Sequence, residues 1–188
     1  MVRCFLIAVI ASQLAAAQQG SRTVYIVRNA ETSSAAADSL GPAGQKRAQC
    51  LAETLKDSGI KQIFVSDVKA TQQTAEPLAS TLKIKASVVP ARDWSTLVRN
   101  VLYSARAGDI LVVGDRNTLP VIIPRLQGGT PKPIAENEYD RIFVLTIVEG
   151  GGTPAATLRY CPSGVSPAPA QPNPAHKPAA SKSPTQKR

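Results

Sequence analysis

The sequence predicts an α/β domain with a mainly parallel sheet and helices on both faces. Short apolar runs, rich in β-branched residues, alternate with segments whose apolar residues recur at helical spacing. The runs at residues 24–27, 63–65 and 110–113 are apolar throughout, which is typical of strands that are covered on both faces. Because this alternation continues through most of the chain, it indicates parallel strands joined by crossover helices.

The first strand is expected over residues 24–27, and the small polar residues at 33–38 form a loop. Helical spacing begins after Gly41 and is closed at residues 57–59. The apolar residues of this helix share one face: Ala48, Leu51, Ala52 and Leu55.

A second strand at residues 63–65 leads into a helix at residues 69–82, in which Pro77 either kinks the helix or delimits it. The following elements are expected in this order: a strand at 88–89, a helix at 94–103, a strand at 110–113 and a helix at 117–126. Pro120 lies near the start of the last helix, where a missing amide donor is tolerated.

The last two strands are expected at residues 141–148 and 156–160. The three glycines at residues 150–152 lie between them, so the chain should end its folded part in a hairpin.

Three regions are expected along the chain. Residues 1–17 have a basic start, a short apolar run and three alanines, which is typical of a cleaved secretory signal peptide. Residues 18–161 have the size of one domain with one core. Residues 162–188 contain seven prolines and no acid, a composition that predicts a disordered tail with polyproline II character. We therefore expect a secreted or periplasmic protein.

The net charge of +9 is concentrated at the chain ends. The tail carries four basic residues, and Arg3 lies in the signal segment, which leaves about +4 on residues 18–161. The tail favours weak contact with an acidic envelope surface, although simple solubility explains it as well. Export and a low aromatic content argue against nucleic-acid binding. No other stretch is long and apolar enough to predict a transmembrane segment in the mature chain.

Cysteine and histidine limit the chemistry of the domain. The single histidine, His176, lies in the tail, and Cys4 lies in the signal segment. Cys50 falls in the first predicted helix and Cys161 just after the last strand, so they either form a disulfide or stay as free thiols. Two cysteines without a folded histidine do not make a metal site, and no cofactor is expected.

A candidate cleft follows from the predicted strands alone. Arg28 and Asn29 come directly after the first strand, residues 66–70 after the second, and Asp115 after the fourth. In open α/β sheets, ligands bind at the carboxyl ends of the strands. These three loops should therefore converge on one cleft.

Four stretches resemble motifs of the histidine phosphatase superfamily, the phosphoglycerate-mutase-like enzymes. Residues 23–31, Thr-Val-Tyr-Ile-Val-Arg-Asn-Ala-Glu, resemble the Arg-His-Gly/Ala signature that opens these enzymes. Residues 40–45 are similar to the stretch that opens their first helix. Residues 66–75 resemble the Ser-x-x-x-Arg-x-x-x-Thr-Ala element, and residues 111–118 resemble the later Gly-His loop. The resemblance implies the same α/β fold over most of the domain.

In that family, the first histidine attacks a phosphoryl group, while a second histidine and two arginines hold its oxygens. At the matching positions this chain keeps Arg28, but Asn29 replaces the nucleophile, Ala70 the second arginine and Asp115 the second histidine. The amide nitrogen of Asn29 is not nucleophilic. Ala70 has no donor for a phosphate oxygen, and the carboxylate of Asp115 repels a phosphate group. We therefore expect no intact catalytic residue and a catalytically inactive protein.

Two arrangements are open for Asp115. It either pairs with Arg28, so that the pocket holds an anion of its own, or it points to solvent or to Arg116. Asn117 and Glu138 are expected at the rim of the cleft. Glu31 is expected there as well, either as an acid or as a cap of the following loop.

Three functions are compatible with these residues. The first is an exported, inactive domain that binds a small anion or a protein partner. The second is a phosphatase-type hydrolase of non-histidine mechanism that uses Asp115 or Glu31. The third is a structural envelope protein with a vestigial cleft, which a filled or self-paired cleft would favour.

Overall fold

The computed structural model describes residues 21–34, 38–104, 108–126, 129–148 and 151–161. The predicted signal segment at 1–17 and the predicted tail at 162–188 lie outside these residues, so the expectations for them stay predictions.

The described chain contains six strands and four helices. They follow in the order β1 Arg22–Arg28, α1 Pro42–Leu55, β2 Ile60–Ser66, α2 Lys69–Leu82, β3 Ser87–Val89, α3 Trp94–Leu102, β4 Asp109–Gly114, α4 Leu119–Arg125, β5 Arg141–Val148 and β6 Gly151–Arg159. Each element expected from the sequence is present. Helix α4 begins two residues later than predicted, because residues 115–118 form a turn held by the Asp115 side chain. Pro77 lies inside α2 and does not end it.

All six strands form one sheet in the order β3-β2-β4-β1-β5-β6. The pairs β2–β3, β2–β4 and β1–β4 are parallel, whereas β1–β5 and β5–β6 are antiparallel. The predicted mainly parallel sheet and the final hairpin are both confirmed.

The sheet carries a core on each face. Along β1, Val24 and Ile26 face one side and Val27 the other, as the alternation of side chains along a strand requires. Helices α3 and α4 cover the first face, through residues such as Val101 and Ile122, and α1 and α2 cover the second. The predicted coverage of both faces is therefore correct.

The end of the domain is fastened to its first helix. Cys50 of α1 and Cys161 form a disulfide, with their Cα atoms 6.4 Å apart. Just before it, the amide of Tyr160 donates to the carbonyl of Asp140. Of the two alternatives that the sequence left open for these cysteines, the structure contains the bridge. Within the described ranges, no helix combines the length and the hydropathy that crossing a bilayer would require.

Candidate functional site

The carboxyl ends of β1 and β4 bring Arg28, Asn29 and Asp115 to one edge of the sheet. Arg28 is aligned with Gly114 across the parallel pair, and the amide of Asn29 donates to the Gly114 carbonyl over 2.7 Å. Asp115 follows directly. On the other side of β4, strand β2 ends at Ser66, which leads into α2 and Ala70. The predicted convergence of three loops is therefore correct.

Arg28 is held by the loop that precedes β5. Its Nη1 atom donates to three backbone carbonyls, those of Ala135, Glu136 and Glu138, at 3.2, 2.7 and 3.1 Å. The ring of Tyr139 stacks on the guanidinium, with its centroid 3.9 Å from Cζ. The Nε atom is buried and has no hydrogen-bond partner within the described part of the chain. Nη1 and one face of the Arg28 guanidinium are thus contacted by the chain itself.

Asp115 makes its hydrogen bonds locally. Its Oδ1 atom accepts from the amides of Asn117 and Thr118, at 2.7 and 2.9 Å. Among the described residues it forms no ion pair with Arg28, so the proposed Arg28–Asp115 pair is wrong. The physical reason is that nearby backbone groups already bind both side chains: amides donate to the Asp115 carboxylate, and carbonyls accept from Nη1 of Arg28.

Asn29 and Ala70 follow β1 and β2 at the same edge, and neither side chain carries a charge. Asn29 is buried, and its Nδ2 atom donates to the Ala30 carbonyl at 3.0 Å. Ala70 is buried in a small apolar cluster with Ala30, Leu40 and Ala48. The methyl group of Ala70 therefore joins an apolar surface at the position where the family places an arginine.

Glu31 forms an ion pair in the interior. Arg47 of α1 donates from Nε and Nη2 to its carboxylate at 2.7 to 2.9 Å, and from Nη1 to the Cys161 carbonyl at 2.8 Å. Only 8% of the Arg47 side chain is exposed. Burial lowers the pKa of Arg47, but the hydrogen bond and charge of Glu31 outweigh this and raise it. The pair thus connects the loop after β1 to α1, and Arg47 connects α1 to Cys161.

Glu138 is the centre of a second ionic cluster and does not lie at an open rim. Its carboxylate accepts from Arg141 at 2.5 Å and from Arg159 at 2.8 Å, and its side chain is 11% exposed. Arg159 also pairs with Asp140. Because Glu138 also supplies a carbonyl to Arg28, this cluster anchors the loop that binds Arg28.

Replacement of Glu138 by Gln should make the domain less sensitive to acid. Burial raises the pKa of Glu138, but hydrogen bonds from Arg141, the Ala135 amide and Arg159 together hold it below its ordinary value. A lowered native pKa contributes stability that is present above the unfolded pKa and is lost as the pH falls through the native one. The difference in Tm between wild type and Glu138→Gln should therefore be constant near neutrality and shrink below about pH 4. A difference that does not change with pH would contradict this assignment.

Of the other expected rim residues, Arg116 and Asn117 are exposed, and Arg116 lies 4.0 Å from the Glu136 carboxylate. The sequence interpretation missed Tyr139, Arg47 and Thr74. The Thr74 hydroxyl accepts from the Ala30 amide and donates to the Ala70 carbonyl. The sequence could have indicated a buried ion pair at Arg47, because this residue lies beside Ala48 on the buried face of α1, where an unpaired charge is rare. Tyr139 had none.

Comparison with known proteins identifies a matching family model and several similar folds. Residues 24–94 match the model of the histidine phosphatase superfamily, branch 1. The fold is similar to that of the protein histidine phosphatase SixA complexed with tungstate, at 21% identity and a TM-score of 0.56, covering 73% of this chain and 96% of that one. It is also similar to a phosphoserine phosphatase from Entamoeba histolytica in complex with 3-phosphoglyceric acid, at 12% identity and a TM-score of 0.54, covering 74% and 96%.

The matched segment covers the first part of the domain, and the solved structures show that this chain shares their fold. A mycobacterial hydrolase has a similar fold at 12% identity and a TM-score of 0.54, covering 68% of this chain and 91% of that one. No curated protein matches the chain.

Proposed function

We propose that this chain is an exported, catalytically inactive member of the superfamily, which acts by binding a protein partner and whose phosphate pocket is vestigial. One observation carries the proposal. Arg28, the cation that would receive a phosphoryl group, is instead bound by three carbonyls of residues 135–138 and stacked under Tyr139. The chain itself thus takes the place of an anionic ligand.

The remaining pocket residues support the loss of phosphoryl transfer. Asn29 cannot accept a phosphoryl group as an imidazole does, because its nitrogen lone pair is delocalised into the carbonyl. Ala70 offers no donor to a phosphoryl oxygen, and Asp115 adds a negative charge near the place where the substrate's charge would lie. Charge on the transferred group would therefore lack the second arginine and the second histidine that hold it in the family.

Binding of a small anion and hydrolysis by a carboxylate are both less well supported. An anion at Arg28 would compete with the three carbonyls that Nη1 already binds, and it would approach Asp115. Glu31 is engaged by Arg47, and Oδ1 of Asp115 accepts two backbone amides. A partner-binding role does not need the pocket and is compatible with its closure.

The test is an assay of the purified chain on para-nitrophenyl phosphate, beside Asn29→Ala and Asp115→Asn. We expect no turnover above the buffer rate from the wild type and no difference between it and either variant. An active histidine phosphatase of the same fold is the positive control. Turnover that Asn29→Ala or Asp115→Asn abolishes would refute the proposal and identify the residue that acts.

A further inference from the structure

A groove lies at the β3 edge of the sheet, on the face that carries α2. It has a volume of about 360 Å³ and runs between α2 and β3. Its apolar wall includes Ala86 and Val88 of the edge segment, and Val88 is 53% exposed. Because β3 is the last strand on this side and Val88 is exposed, none of the described helices fully covers this strip of the sheet.

The opposite wall of the groove is a polar stripe along α2. Lys69, Gln72, Gln73 and Glu76 line it. They stand at positions i, i+3, i+4 and i+7, so they share one face of the helix. A cation, two amides and a carboxylate are thus arranged in that order beside an apolar floor.

The two amides of the stripe are each fixed at one end. Gln72 donates from Nε2 to the Ser66 carbonyl at 3.3 Å, and Gln73 accepts at Oε1 from the Leu40 amide at 2.8 Å. These partners determine which atom of each amide is nitrogen and which is oxygen. The remaining atoms, Oε1 of Gln72 and Nε2 of Gln73, have no hydrogen bond to the described part of the chain. The stripe therefore offers one oriented acceptor and one oriented donor.

The two charges of the stripe are also unpaired within the described residues. Neither Lys69 nor Glu76 takes part in an ion pair there. Seven residues of α-helix separate them by about 10.5 Å along the axis. An occupant that satisfies both needs a negative group at one end and a positive group about this far away.

We propose that this groove binds a short linear peptide of small residues with free, charged ends. Three extended residues span about 10 Å, which matches the distance between Lys69 and Glu76. The peptide carboxylate would meet Lys69 and its ammonium Glu76. A peptide N–H and C=O would meet the free atoms of Gln72 and Gln73, and small side chains would pack on Ala86 and Val88. The volume lies within the range of ligand sites, about 300 to 1,000 Å³. None of this depends on the closed pocket.

The probe is trialanine, titrated into the full chain by calorimetry and followed by the amide resonances of residues 86–88. We expect saturable binding. Trialanine with an amidated carboxyl end, or with an acetylated amino end, should bind about tenfold more weakly, the effect of losing one charge-assisted contact. Lys69→Ala should weaken the binding of trialanine by a similar factor. It should not further weaken the binding of the amidated peptide, which has already lost the contact with Lys69. Glu76→Gln should likewise weaken the binding of trialanine but not further weaken the binding of the acetylated peptide. Lys46→Ala, an exposed lysine of α1 outside the groove, is the matched control and should change nothing.

Three results would overturn the proposal. They are no binding of trialanine at millimolar concentration, equal binding of free and blocked peptides, and binding that neither groove variant changes. Analytical sedimentation tests the alternative that a second copy of this chain occupies the groove. If the chain forms a dimer that Lys69→Ala and Glu76→Gln dissociate, and trialanine does not compete, then a second copy occupies the groove and the peptide proposal is wrong.

Discussion

Replacement of both Cys50 and Cys161 by alanine should lower the free energy of unfolding by about 4 to 5 kcal/mol. The bridge joins residues 111 positions apart, so it removes a large part of the conformational freedom of the unfolded chain. It also holds the Cys161 carbonyl on Arg47 and keeps Tyr160 buried against α1 and α2. Urea unfolding of the oxidised wild type and the double variant, followed by circular dichroism, measures the difference.

A reducing agent provides the control for this experiment. It should destabilise the wild type by nearly the same amount as the double replacement and leave the double variant unchanged. If the free energy of unfolding of the oxidised wild type exceeds that of the double variant by less than about 1 kcal/mol, the bridge does not stabilise the domain as the chain-entropy argument requires.

Replacement of Glu31 by Gln should destabilise the domain by about 3 kcal/mol, because it leaves the guanidinium of Arg47 buried without its counter-charge. Arg47 is 8% exposed and Glu31 23%, so water can compensate the loss only in part. Since the pair connects the residues after β1 to α1, its loss should also loosen the first loop. Thermal and urea unfolding measure the change.

A second variant separates charge from packing. The double replacement Glu31→Gln with Arg47→Met removes both charges, and its stability should return to within about 1 kcal/mol of the wild type. Glu53→Gln removes one partner of the exposed Glu53–Lys56 pair and should have no measurable effect. If the double variant is as unstable as Glu31→Gln, the pair contributes through its shape and hydrogen bonds more than through its charges.

The sequence predicted the sheet, the helices and the edge at which the site lies. Apolar runs such as Ile110–Val113 of β4 can be read directly, because burial on both faces demands them. The positions of Arg28, Asn29 and Asp115 followed from the rule that parallel strands end at one edge.

The partners of these side chains were not predictable in the same way. Arg28 binds backbone carbonyls, which every residue carries, so no residue type in the loop before β5 marks it as the cover of the pocket. Asp115 followed by Asn117 and Thr118 did carry the signal of a side-chain turn, but an opposite charge nearby was an equally good partner on sequence alone. Glu31 and Arg47 lie 16 residues apart on different elements, and only the packing of α1 shows that they meet.

Closure of the phosphate pocket is tested most directly by titrating the chain with orthophosphate while observing the Nε–H resonance of Arg28, assigned by its disappearance in Arg28→Lys. We expect no saturable shift of this resonance at any phosphate concentration up to tens of millimolar, because three carbonyls and the ring of Tyr139 already hold the guanidinium. A saturable shift would contradict the account, since it would mean that Arg28 still binds phosphate.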